Sequence, residues 1–141
     1  PPHLTHTFRQ VHDFVSIGAA APLQEAGAVA YGLPRAYYQQ LAAGYQARRD
    51  RFCGVLQEVG FSLVPPQGAY YVMADFSAIS EVDDIEFSQY LVRDIGVATG
   101  PGSSFFRRKE LGRNYVRFCF CKKDETLDAA EQRLRRLRAS T

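Results

Sequence analysis

The chain has 141 residues, 46% of them apolar, which suffices for one domain of ordinary size with a core of its own. Its 17 Lys and Arg against 15 Asp and Glu leave a formal charge of +2, too little to mark a polyanionic partner, so no nucleic acid is expected. Three cysteines in no dense framework argue against a secreted disulfide scaffold and for a reducing compartment, by default the cytoplasm. No run approaches the ~18 apolar residues of a membrane span, so no membrane partner is expected either.

The opening Pro1-Pro2-His3-Leu4 has neither a basic region nor an apolar signal stretch, and helical periodicity begins at once. That start reads as a piece of a longer polypeptide. Leu4, Phe8, Val11 and Val15 recur at spacings of four, three and four, which predicts a first helix with one apolar stripe. Small residues at 18–21 lead to Pro22, suited to the first turn of a second helix ending near Tyr31, and Leu33-Pro34 punctuates it. A long third helix follows from Pro34, with Tyr37, Leu41, Tyr45, Arg48, Phe52, Val55 and Val59 on its stripe and Gly60 just past its end.

Beyond Gly60 the period changes. Phe61 to Val64 and Ala69 to Asp75 read as two strands of a hairpin around Pro65-Pro66-Gln67-Gly68. Asp83 and Glu86 resemble a capping box for a helix carrying Phe87, Leu91 and Ile95, stopped by Gly96. Val97 to Thr99 reads as a short strand, and Gly100-Pro101-Gly102-Ser103-Ser104 as a loop. The strand Tyr115 to Cys121 and a last helix from Asp124 to Arg138, with Leu127, Ala130, Leu134 and Leu137 on one side, complete the order. The predicted class is α+β: N-terminal helices, then a small antiparallel or mixed sheet packed with helices.

Val116-Arg117-Phe118-Cys119-Phe120-Cys121 is the most informative segment. Alternation puts Val116, Phe118 and Phe120 on one face and Arg117, Cys119 and Cys121 on the other, and both faces read as buried. A buried guanidinium requires an anionic, preferably planar partner. Either an internal acid or an external carboxylate would serve, and the spacing leaves both open. The loop from Gly100 to Phe105 could cradle an anion with backbone N–H groups, but it lacks the lysine and helix start of a phosphate loop and reads better as a tight connection. His3 with His6, and Cys119 with Cys121, each make half a metal site that no second pair completes, so no metal is expected. His12-Asp13 has no nucleophile signature around a serine or cysteine to join.

Six segments, taken together, resemble the class I/II aminotransferases of the aspartate aminotransferase superfamily, nearest the kynurenine and methionine aminotransferase subgroup. They are Ala21-Pro22-Leu23-Gln24; Leu33-Pro34 with Tyr37-Tyr38; Tyr45 through Arg48-Arg49-Asp50; Pro66-Gln67-Gly68-Ala69-Tyr70-Tyr71; Pro101-Gly102-Ser103-Ser104-Phe105; and Val116 to Phe120. They lie in the family's order across nearly the whole chain.

The resemblance implies the C-terminal part of a fold-type I enzyme dependent on pyridoxal 5'-phosphate. Residues 1–33 would be helices from the end of the large cofactor-binding domain, and 34–141 the small domain. Arg117 matches the arginine that binds the substrate α-carboxylate; no catalytic or cofactor-binding residue is assigned in this chain. The intact protein, a cytoplasmic homodimer by the family's pattern, would move an amino group between an amino acid and a 2-oxo acid. Lys109, Lys122 and Lys123 do not sit in the family's lysine motif, so this fragment would not hold the cofactor covalently and would be inactive alone. Two alternatives are a fragment of a pyridoxal-phosphate carbon–sulfur β-lyase and a non-catalytic carboxylate-binding or interaction module.

Overall fold

The computed structural model describes the backbone of residues 2–137 and the side chains of residues 4–137. It divides into two compact units, residues 1–39 and 40–141.

The first unit holds α1 (Pro2–Ser16), α2 (Ala21–Tyr31) and the start of α3 (Arg35–Glu58). Pro22 lies in the first turn of α2, where its missing N–H costs nothing. The predicted stripe on α1 forms, but its side chains are exposed: Leu4 at 44%, Phe8 at 70%, Val11 at 57% and Val15 at 79%.

The second unit contains the core. Helix α3 ends as the sequence predicts: Gly60 adopts φ +106°, Phe61 N–H donates to the Leu56 carbonyl at 3.0 Å and Gly60 N–H to that of Gln57 at 3.1 Å. These paired bonds satisfy carbonyls that a helix end leaves over, and the positive φ selects glycine. Strands β1 (Ser62–Leu63), β2 (Tyr71–Asp75), β3 (Gly100–Pro101) and β4 (Tyr115–Cys119) make one antiparallel sheet in the order β1-β2-β4-β3. The predicted hairpin is the β1–β2 pair. The strand expected at Val97 to Thr99 forms instead at Gly100–Pro101, because pairing falls where Gly100 lies opposite Arg117. Propensity had favoured the β-branched residues just before it.

Val72, Ala74, Val116 and Phe118 turn one sheet face into the core, against Phe52 and Leu56 of α3, Phe87 and Leu91 of the next helix, and Leu127 and Leu134 of the last. Phe118 meets Phe52 and Phe61 edge-on, with ring centroids 5.8 and 5.4 Å apart, and Phe76 stacks on Phe87 at 4.1 Å. Helix α4 (Asp84–Tyr90) is capped by Asp83, whose side chain accepts from Ile85 N–H and Glu86 N–H. It then widens into a π-helical turn, Leu91–Ile95, before Gly96 in the left-handed conformation. Two 3₁₀ turns, Gly102–Phe105 and Lys109–Gly112, precede β4. Helix α5 (Asp124–Leu134) follows, and the end predicted at Arg138 lies outside the described residues. Between α3 and α5, Arg48 pairs with Asp124 at 3.0 Å, and Arg51 with both Asp128 at 2.8 Å and Glu131 at 2.7 Å.

Candidate functional site

The face of the sheet turned away from the core carries Tyr71, Met73, Tyr115, Arg117 and Cys119, all half-buried. This corrects the expectation that both faces of β4 are buried: only Val116, Phe118 and Phe120 are fully covered. The aromatic and thiol residues on the second face are apolar enough to read as core from sequence, yet the core of the second unit is built on the other face of the sheet.

Within that face Arg117 is flanked in register by Met73 on β2 and Gly100 on β3. Its guanidinium carbon lies 4.0 Å from the Phe105 ring centroid and 5.0 Å from that of Tyr71. The Nε is closed off from solvent and has no hydrogen-bond partner among the described residues. The ion pairs found among those residues engage Arg48, Arg49, Arg51, Arg108 and Arg135 and leave Arg117 out. Two aromatic faces attract the cation by about 0.5 to 2 kcal/mol each, but they accept no hydrogen bond in the guanidinium plane. A guanidinium edge is the kind of donor set that a planar oxyanion can meet with two parallel hydrogen bonds. Beside it, a cleft of about 420 Å³ is lined by Tyr71, Met73, Tyr115 and residues of β1.

The loop before β4 is held at two points. Ser103 N–H donates to Asp84 Oδ2 at 2.7 Å, and Asp84 is itself buried at the start of α4. The N–H expected as a candidate anion cradle therefore serves an internal carboxylate, which favours the connecting role over ligand capture. Gly102 and Gly112 abut backbone to backbone: a Cβ on Gly112 would lie 2.5 Å from the Gly102 carbonyl carbon and 2.6 Å from Ser103 N. This fixes the turn whose last residue is Phe105.

His6 and His12-Asp13 are exposed on α1, and the His3 side chain lies outside the described residues. Cys53, Cys119 and Cys121 are free thiols. Among the described residues no cluster of His, Cys, Asp or Glu could hold a metal ion, and no helix is long and apolar enough to cross a membrane. By the family resemblance, segments 68–71 and 101–105, which carry Tyr71 and Phe105, border the active site, but the residues themselves gave neither ring a role and gave Gly100 none. Their signal was faint: a glycine and aromatics in two segments that meet only through strand pairing.

The fold is that of an α+β fragment of fold-type I. It superimposes on N-succinyldiaminopimelate aminotransferase from Mycobacterium tuberculosis with a TM-score of 0.83 and 36% identity, over 97% of this chain and 36% of that one. The chain belongs to the family "Aminotransferase class I and II", whose sequence model matches residues 2–134. Among its relatives, methionine aminotransferase of Escherichia coli (strain K12) is 34% identical over 97% of this chain and 35% of its own length. Kynurenine–oxoglutarate transaminase of Dictyostelium discoideum is 32% identical over 98% of this chain and 36% of its length. The chain thus spans about a third of the length of the curated relatives it matches.

Aminotransferases of this family depend on pyridoxal phosphate. Lys109, Lys122 and Lys123 are all exposed.

Proposed function

We propose that this chain supplies the substrate-carboxylate side of a pyridoxal-phosphate-dependent aminotransferase, with Arg117 gripping the α-carboxylate of the amino acid and of the 2-oxo acid. Residues 1–33 belong to the end of the large domain and 34–141 form the small one. The cofactor's lysine lies in sequence outside this chain, so the 141 residues alone do not transaminate. The intact enzyme is a homodimer of the cytoplasm, in keeping with three free thiols and an uncovered apolar stripe on α1.

The observation that carries this reading is the state of Arg117. Its Nε is buried and unpartnered, its cation lies against two aromatic rings, and no acid of the described chain neutralises it. An uncompensated charge in that setting costs several kcal/mol unless an anion arrives. The relatives are named for methionine, kynurenine and N-succinyldiaminopimelate, molecules with different side chains and a common α-amino acid group. Arg117 addresses the part they share.

The test is Arg117→Ala in the full-length enzyme. Removing one partner of a shielded, charge-assisted pair costs on the order of 3 to 5 kcal/mol, roughly a 100-fold or greater loss in kcat/KM. Cofactor absorbance should stay nearly unchanged, and Arg117→Lys should restore only part of the loss, because an ammonium lacks the planar fork. A variant that melts much earlier yet keeps near-normal kcat/KM when folded would return Arg117 to a purely structural role.

A further inference from the structure

We infer that Phe105, seated against Gly100, is a positioning residue that fixes the plane of the Arg117 guanidinium for an incoming carboxylate. The inference rests on the reading of Arg117 as the carboxylate-binding group and deepens it.

Phe105 is 44% exposed, so burial in the core is not what holds this ring. Its centroid lies 4.0 Å from the guanidinium carbon, a stacking distance. It also rests on the neighbouring strand. A Cβ built on Gly100 would come within 3.2 Å of Phe105 Cε2 and Cζ, and 3.9 Å from Arg117 Cβ. Gly100 sits directly opposite Arg117 in the β3–β4 register. The ring therefore spans both residues of one cross-strand pair, and a Cβ at position 100 would require it to give by a few tenths of an ångström. Its backbone is anchored independently, by the Ser103 N–H bond to the buried Asp84 and by the Gly102–Gly112 contact.

An arginine side chain loses considerable rotamer freedom when a ligand freezes it. A ring held over the guanidinium removes much of that freedom before the ligand arrives. It leaves the N–H edge as the place where acceptors can approach, and it keeps water from that side, which strengthens the charge pair. A flat, two-oxygen anion gains most from such an edge.

The test uses the full-length holoenzyme and competitive inhibition by 3-phenylpropanoate, which carries the carboxylate without the amino group. Phe105→Leu is expected to raise the inhibition constant about 3- to 30-fold, with cofactor absorbance and Tm little changed. Gly100→Ala should move it in the same direction, and Phe105→Tyr, which keeps a ring, should stay within about twofold of the wild type. In an Arg117→Lys background, the effect of Phe105→Leu should shrink to less than about twofold, since the ring then has no plane to fix.

Phe105→Leu leaving the constant unchanged while Arg117→Ala raises it would overturn the positioning role and leave the Arg117 reading standing. An unchanged constant in Arg117→Ala itself would remove that reading and this inference with it. A Phe105→Leu effect undiminished in the Arg117→Lys background would mean that the ring touches the ligand directly, which also overturns it. Should Phe105→Leu fail to fold, Phe105→Met and Gly100→Ala provide the same comparison.

Discussion

Gly102→Ala should be among the most destabilising alanine substitutions in the second unit. A methyl group there would lie 2.5 Å from the Tyr115 carbonyl oxygen and 2.8 Å from the Tyr115 Cβ, and would press on the Gly112 carbonyl oxygen. Two of these three obstacles are backbone atoms of buried or paired segments, so no side-chain rotation relieves them. Overpacking ordinarily costs about 1 to 3 kcal/mol, and contacts this short against backbone place the change at the upper end, about 3 kcal/mol. At about 2 °C or more per kcal/mol for a larger protein, Tm should fall by roughly 6 °C. The loop must also shift, carrying Phe105 with it, so KM for amino acids should rise. Gly54→Ala is the control: it lies mid-helix on the exposed side of α3 with nothing within 4 Å of the added Cβ. It should stabilise by about 0.5 to 1 kcal/mol. Thermal melting followed by circular dichroism on both variants decides the matter. A Gly102→Ala enzyme that melts within a degree or so of the wild type would refute the close-packing argument.

Arg51→Ala should cost about 1 to 2 kcal/mol, between an exposed pair and a buried one, because Arg51 is 40% exposed while the Glu131 it leaves behind is only 9% exposed. The hydrogen bond to Glu131 raises the Arg51 pKa. Its contribution is therefore full below the ordinary arginine value and lost only as pH rises beyond it, so the stability difference should be flat from about pH 6 to 9 in urea titrations. Burial pushes the Cys53 thiol up. Its share of stability is present below the unfolded thiol value and declines as pH climbs through the folded one, and in labelling followed by peptide mapping Cys119 and Cys121 should react before Cys53. Mixing the 141-residue chain with pyridoxal phosphate and then borohydride should label Lys109, Lys122 and Lys123 slowly and without preference; one stoichiometric adduct at any of them would contradict the proposal that the cofactor's lysine lies outside this chain.

The parts of the fold legible in the sequence were those written by local physics. Gly60 past a long apolar stripe announced the end of α3, and Asp83 announced the start of α4. Alternation from Val116 to Phe120 separated the core face of β4 from the Arg117 face. The π-helical turn at Leu91–Ile95 was hidden, because Leu91 and Ile95 at a spacing of four fit an α-helix equally well. The true position of β3 was hidden too, since a glycine and a proline carry no strand propensity and pair there only because β4 lies alongside. Arg117 itself stood out from its apolar neighbours, but spacing left its partner open, and the carboxylate role came from the family resemblance. The segments that carry the rings around it were set beside the site by the resemblance alone: Tyr71 precedes Arg117 by 46 positions and Phe105 by 12, and the sheet register is what brings them together.

That register also explains why a site on the outer face depends on residues of the inner one. Side chains alternate with a period of two along β4, so slipping the strand by one residue would bury Arg117 and expose Phe118. What prevents the slip is Phe118, wedged edge-on against Phe52 and Phe61, together with Val116 and Phe120, each exposed by no more than 1%. Burial of three such side chains is worth about 1.5 to 3 kcal/mol apiece, all of it forfeited in the slipped register. The guanidinium is thus placed by hydrophobic residues that never touch it, and its plane is set separately by a ring on a loop that Asp84 and two glycines hold in place. Core changes such as Phe118→Leu should therefore lower stability before they alter carboxylate affinity, whereas changes at Phe105 or Gly100 should do the reverse.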